Sequence, residues 1–141
     1  MGLMDTIVEQ AEANRASDIH IAAGVPIRAR IDGKLRDLND QVLTPEDCEA
    51  IARDAAGEAY DSIADMGELD MAGTYAGHIR CRLNIYQSMR SVCLAIRLLS
   101  NNIPDISTLG LPPVMLDFPT YQKGIIIVTG ETGSGKSTTL A

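Results

Sequence analysis

The sequence predicts a mixed α/β chain in two parts. The first is an α+β domain on an antiparallel sheet. The second is the opening strand and glycine-rich loop of another α/β domain. Three observations predict this. Apolar residues near the N-terminus recur at helical spacing and then switch to alternation. Two longer alternating runs lie over 79–86 and 92–98. A short β-branched run over 124–129 leads directly into a stretch rich in glycine.

Composition narrows the classes. The chain has 141 residues, 45% apolar and 22% charged, with a net charge of −7. That is too apolar for a disordered chain, and its acidity argues against a nucleic-acid partner. The longest apolar runs, Val92–Ile96 and Ile125–Val128, are far too short to span a membrane. The N-terminus lacks the basic region and apolar core of a secretion signal. Cys48, Cys81 and Cys93 are odd in number and fit no zinc spacing. Free, buried thiols in a reducing cytoplasm are the expectation.

The elements follow in order. Ile7, Val8 and Ala11 mark a short amphipathic helix over 6–13, with Thr6-x-x-Glu9 as a capping box and Asn14 just past its end. Ile19 and Ile21 then alternate with Asp18 and His20, and Ile27, Ala29 and Ile31 with Arg28 and Arg30. Asp32-Gly33 is a two-residue hairpin signal before Lys34-Leu35-Arg36, so 18–38 reads as a small antiparallel sheet. Thr44-Pro45-Glu46-Asp47 starts a helix that runs to Ala56 and stops at Gly57. Residues 37–77 carry eleven acids and one base, which reads as a solvated face.

At His78 the charge inverts. Arg80, Arg82, Arg90 and Arg97 lie in a stretch, 78–97, without a single acid. Ile79, Cys81, Leu83 and Ile85 form one face of a strand, and Val92, Leu94, Ile96 and Leu98 one face of the next. With Gln87–Arg90 as the turn, Arg80 stands opposite Arg97 and Arg82 lies diagonal to it. Like charges opposed on a sheet are destabilising. Either an incoming anion relieves that cost, or water and the acidic block do. His20 and His78 have no second ligand nearby and read as structural or solvated. The proline-rich stretch 101–122 is a linker, with a short helix near 114–116.

Gly124–Thr129 reads as a strand buried on both faces. After it, Gly130, Glu131, Thr132, Gly133, Ser134, Gly135, Lys136 and Ser137 spell G-x-x-x-x-G-K-[ST], the P-loop or Walker A pattern. Glycines let successive N–H groups converge on phosphate oxygens. Lys136 is the candidate for the β- and γ-phosphates of ATP, and the Ser137 hydroxyl for Mg²⁺. Ser137, Thr138, Thr139 and Leu140 open a helix whose N-terminal dipole favours the anion.

In this order the motifs resemble the type II/IV secretion and type IV pilus motor ATPases, most nearly the twitching-motility retraction type (PilT type). Ala16–Ile21 looks like that family's opening strand, Ile31–Leu35 its hairpin, Arg80–Asn84 and Ala95–Leu98 its arginine-bearing strands, and Gly130–Ala141 its Walker A. Leu109-Gly110-Leu111-Pro112 fits the interdomain linker. The resemblance implies a PAS-like domain over 1–100, a linker over 101–122 and the start of a RecA-like domain over 123–141. It further implies a cytoplasmic homo-hexamer that binds ATP with Mg²⁺ and works against a pilus platform protein of the inner membrane. Arg82 and Arg97 are the best matches to the family's phosphate-approaching arginines; Arg80 and Arg90 are further candidates.

The family's catalytic glutamate and Walker B strand lie beyond the P-loop, and only eleven residues follow Gly130. No catalytic residue is therefore expected here, and no useful ATPase activity from this chain alone. Residues 1–100 are expected to fold by themselves, with 119–141 loosely held. A start at Met1 favours the shorter retraction type over a pilus-assembly or type II secretion ATPase. The alternative from another class is a non-catalytic binding or regulatory module with a vestigial P-loop.

Overall fold

The computed structural model describes residues 2–88, 91–99, 105–130 and 134–140, with the side chains of residues 64, 65 and 137 set aside. Contacts divide the chain into two compact units, Met1–Asn101 and Asn102–Ala141. The first unit contains α1 (Leu3–Ala13), β1 (Ala16–Ile21), β2 (Arg28–Ile31), β3 (Lys34–Asp37) and α2 (Pro45–Ala56). A 3-10 turn over Gly57–Ser62 leads to the single-turn α3 (Ile63–Met66), then β4 (Glu68–Tyr75), β5 (Ile79–Ser88) and β6 (Ser91–Leu99). The strands make one antiparallel sheet in the order β3-β2-β1-β6-β5-β4.

The core lies between one sheet face and the helices. Met4, Val8, Ile19, Ile21, Cys48, Leu83, Ile85, Leu94 and Ile96 are almost fully buried. α2 packs on β6, and α1 on β1 and β4. Turns of two residues, 32–33, and of three, 76–78, close the hairpins at the sheet's ends. Asp32 and Gly33 both have positive φ, as do Ala76 and Gly77, the geometry that matches strand twist. All three cysteines are free and buried, as expected.

Four readings change. α1 begins at Leu3, not Thr6. Gly2 is its cap and donates its N–H to Asp5 Oδ2 at 3.1 Å, which leaves Thr6 inside the first turns. The 18–38 hairpin is not a separate sheet, because β6 pairs with β1 and joins it to β5 and β4. The acidic block is more than a solvated face: it holds α2, α3 and β4, and in β4 Glu68 and Asp70 point outward while Leu69, Met71 and Tyr75 face in. The β5–β6 register moves by two residues, because pairing continues to Ser88 and Ser91. Arg82, not Arg80, therefore stands opposite Arg97, and Arg80 pairs with Leu99.

The second unit is less regular. Ile106–Thr108 and Pro113–Thr120 are 3-10 turns, the latter covering the short helix expected near 114–116. Phe118 and Tyr121 rings meet with centroids 5.8 Å apart. The strand expected over 124–129 is not formed: these residues are irregular, with Ile125 89% and Ile127 77% exposed. A strand needs a hydrogen-bonding neighbour, and among the described residues none pairs with it. α4 (Lys136–Leu140) follows as one short turn.

Candidate functional site

The face of the sheet away from the helices is polar, and strand register writes its pattern. One row across the sheet reads Arg30, Asp18, Arg97, Arg82, Ala72. The next reads Arg28, His20, Ala95, Asn84, Asp70. The period of two puts both rows on the same side. Arg82 and Arg97 are thus direct neighbours of like charge, the arrangement that the sequence placed at Arg80 and Arg97.

Two carboxylates from the flanking strands relieve that opposition. Asp70 on β4 takes Arg82 in a fork, Nε to Oδ1 at 3.1 Å and Nη2 to Oδ2 at 2.6 Å. Asp18 on β1 accepts from Arg97 Nε at 3.0 Å, from Ser17 Oγ at 2.8 Å, and stands 3.7 Å from Arg30 Nε. The Arg82 hydrogen bond holds the Asp70 carboxyl below the usual carboxylate range, and Asp70 raises Arg82 in turn. Desolvation pushes Asp18 up, but hydrogen bonds from Ser17 and Arg97 outweigh it and lower its pKa. Asp70 and Asp18 are thus partners of Arg82 and Arg97 within the sheet. Asp70 belongs to the acidic block; Asp18 was not recognised in the sequence as a partner, because the β1–β6 pairing is a long-range contact that local pattern does not reveal.

A shallow depression of about 370 Å³ lies over these rows, with the small Ala95 between His20 and Asn84. His20 Nε2 is buried and has no hydrogen-bond partner among the described residues. A larger depression, about 550 Å³, is lined by Glu46, Glu49 and Asp61 around Arg53. Arg53 lies over the Tyr60 ring at 4.3 Å and is bonded to Glu49 and Asp61. That concentration of carboxylates repels phosphate. Arg80 is exposed on β5 beside Leu99, and Arg90 lies outside the described residues.

In the second unit the P-loop residues Gly130, Ser134, Gly135, Lys136 and Thr138 are described; Glu131, Thr132, Gly133 and the Ser137 side chain lie outside the described residues. Gly130 and Gly135 have φ of +155° and +91°. The positive φ at Gly130 disfavours a side chain there, and a Cβ would also meet Ser134 Oγ at 2.6 Å, a hydroxyl that can rotate away. Lys136 Nζ donates to the Gly130 carbonyl at 2.8 Å. Gly135 accepts from Thr139 N–H and Oγ1 at the start of α4.

Among the described residues, no group of histidine, cysteine and acidic side chains is placed to hold a metal ion. No helix among them is long and apolar enough to cross a membrane.

Comparison with known proteins gives a consistent result. Residues 1–141 match the family described as Type II/IV secretion system protein. The uncharacterized protein YggR of Escherichia coli is 35% identical over 139 residues, covering 98% of this chain and 42% of that one. The type IV pilus retraction ATPase PilT of Pseudomonas aeruginosa is 32% identical over 127 residues, 89% of this chain and 37% of that one. The solved structure of the pilus retraction motor PilT with bound ADP superposes with a TM-score of 0.84 at 38% identity, over 99% of this chain and 41% of that one. The chain thus spans about two-fifths of the length of these relatives. Its helices and antiparallel sheet match the N-terminal domain of PilT-like ATPases. The chain belongs to the type II/IV secretion system protein family and corresponds to the N-terminal portion of its PilT-type ATPases.

Proposed function

We propose that this chain is the nucleotide-gripping part of a hexameric motor ATPase that powers type IV pilus retraction from the cytoplasmic side of the inner membrane. One observation carries the reading: a complete Walker A sequence, Gly130–Ser137, in a chain similar along its whole length to a motor solved with ADP. The donors present suit a polyphosphate. In the second unit they are the Lys136 ammonium and the glycines Gly130 and Gly135; in the first, taken by itself, they are the paired guanidiniums of Arg82 and Arg97. Lys136 gives up the Gly130 carbonyl to take a phosphate oxygen, a charge-assisted bond stronger than the neutral one it replaces.

Glu131, Thr132, Gly133, Ser134 and Thr138 are the other residues of the sequence pattern proposed to bind the phosphates. Ser137 is the residue that would ligate Mg²⁺, and the ion when bound neutralises charge on the phosphate chain. Arg82 and Arg97 are the first unit's own candidates for phosphate charge, with Arg80 and Arg90 as secondary candidates. This chain supplies binding and charge compensation. The pilus platform protein is the expected partner of the assembled motor.

A second reading is an assembly or secretion motor. It draws on the type II secretion protein E of Klebsiella pneumoniae, 33% identical over 159 residues and covering 98% of this chain.

Binding of a fluorescent ATP analogue to the 141-residue chain tests the proposal. The expected result is saturable binding that Lys136→Ala weakens at least about tenfold, the loss of one charge-assisted contact in a phosphate site. Equal affinity in the two proteins would overturn it. Turnover by this chain that Lys136→Ala abolishes would contradict the expected lack of hydrolysis.

A further inference from the structure

Asp18 and Asp70 hold the two opposed arginines, and each leaves its arginine largely in water. The Arg82 and Arg97 side chains are 68% and 71% exposed. Both can therefore leave their carboxylates without disturbing the core. The two partners are unequal. Asp70 is half exposed and makes a two-point fork with Arg82. Asp18 is mostly covered and is shared among Arg97, Arg30 and Ser17. It keeps Arg30 and Ser17 after Arg97 departs, while Asp70 loses its whole fork.

Resting on the reading that this face meets phosphate, we infer that Asp18 and Asp70 are its specificity-determining residues, internal carboxylates that an incoming anion must displace and that admit only one able to bridge Arg82 and Arg97 together. The selectivity follows from like-for-like exchange. A monocarboxylate offers each arginine one charge on two oxygens, which is what the aspartates already provide without loss of translational freedom. A polyphosphate spreads several charges over many oxygens. It can reach both guanidiniums at once, because directly opposed residues on adjacent strands have Cβ atoms only about 5 Å apart.

Space for it exists. The depression over Ala95 holds about 370 Å³ and is bordered by both arginines and both aspartates. His20 also borders it.

The test follows the Nε–H signals of Arg82 and Arg97 by nuclear magnetic resonance in the 141-residue chain carrying Lys136→Ala, so that the P-loop does not compete. Inorganic tripolyphosphate is titrated into this parent and into its Asp70→Asn and Asp18→Asn forms, with acetate as the monoanion. Asp70→Asn is expected to bind tripolyphosphate about two- to fivefold tighter, the equilibrium worth of an exposed ion pair. Acetate is expected to shift the arginine signals in the Asn forms and not in the parent. Because Asp70 is at an exposed position, its replacement keeps the test valid even if Asp18→Asn misfolds. If the arginine signals respond to tripolyphosphate with equal affinity in parent and Asp70→Asn, the gating role falls while the phosphate reading stands. If they respond in none of the proteins, the phosphate reading itself falls and takes this inference with it.

Discussion

Asp5 ties two distant parts of the first unit together with one carboxylate. Its Oδ2 accepts the Gly2 N–H, and its Oδ1 accepts the Ala76 N–H at 2.7 Å, across 71 residues of sequence. Ala76 sits at φ +49°, unusual for a residue with a Cβ, so the bond to Asp5 helps to hold the β4–β5 turn in that shape. Hydrogen bonds from Ala76 and Gly2 lower the Asp5 pKa. A carboxyl lowered on folding contributes stability above its unfolded pKa and loses it as pH falls through the folded value. Asp5→Ala is therefore expected to lower the midpoint temperature at pH 7 and to flatten its decline below about pH 4. Melting curves from pH 7 to pH 2 check this; parallel curves for the two proteins would contradict it. Burial acts oppositely on the Cys81 thiol, raised to about 11, and on the Tyr75 hydroxyl, raised to about 12 while it donates to the Ala55 carbonyl. The arginines were legible as residues because four of them interrupt an acid-free stretch. Their partners were not, because Asp18 and Asp70 reach them only after β1 and β4 flank the β5–β6 hairpin.

At the scale of elements, local chemistry separates what could be read from what could not. α2 begins and ends where Thr44-Pro45-Glu46-Asp47 and Gly57 say it should. Thr44 Oγ1 accepts the Asp47 N–H at 3.1 Å, and Asp47 Oδ2 accepts the Thr44 N–H at 2.9 Å. Such a reciprocal cap is complete within four residues, so no distant contact is needed to recognise it. β4 is the opposite case. Its inward residues include Met71 and Gly73, its outward ones Glu68 and Asp70, and only the pairing with β5 makes it a strand. The same cause shifted the β5–β6 register, since apolar alternation fixes which face a residue takes but allows a slip of two. Thr44→Ala is expected to cost about 1 kcal/mol, the usual worth of a helix cap. Urea denaturation should show that loss as a lower midpoint with an unchanged slope. A midpoint equal to the parent's would show that Asp47 and Pro45 suffice to start the helix.

For the whole molecule, the contrast between the two units decides how the chain behaves. In the first, the sheet and two helices bury a continuous core, and backbone groups are paired across six strands. In the second, the most apolar run of the sequence stays irregular, with Ile125 and Ile127 in water. The pattern at 124–129 correctly signals a segment suited to burial on both faces, but no pattern can supply the neighbouring strands that burial requires. A run of β-branched residues with unpaired backbone is a template for pairing with another copy. Amide hydrogen exchange on the 141-residue chain is therefore expected to be slow through β5 and β6 and fast through Ile125–Val128. Ile125→Lys and Ile127→Lys should each reduce concentration-dependent association in light scattering without moving the first unit's unfolding midpoint, because both side chains already lie outside its core. Uniformly slow exchange at 125–128 in a monomeric sample would mean that this run finds a partner within the chain. The phosphate loop would then sit on a formed strand, as the sequence pattern first suggested.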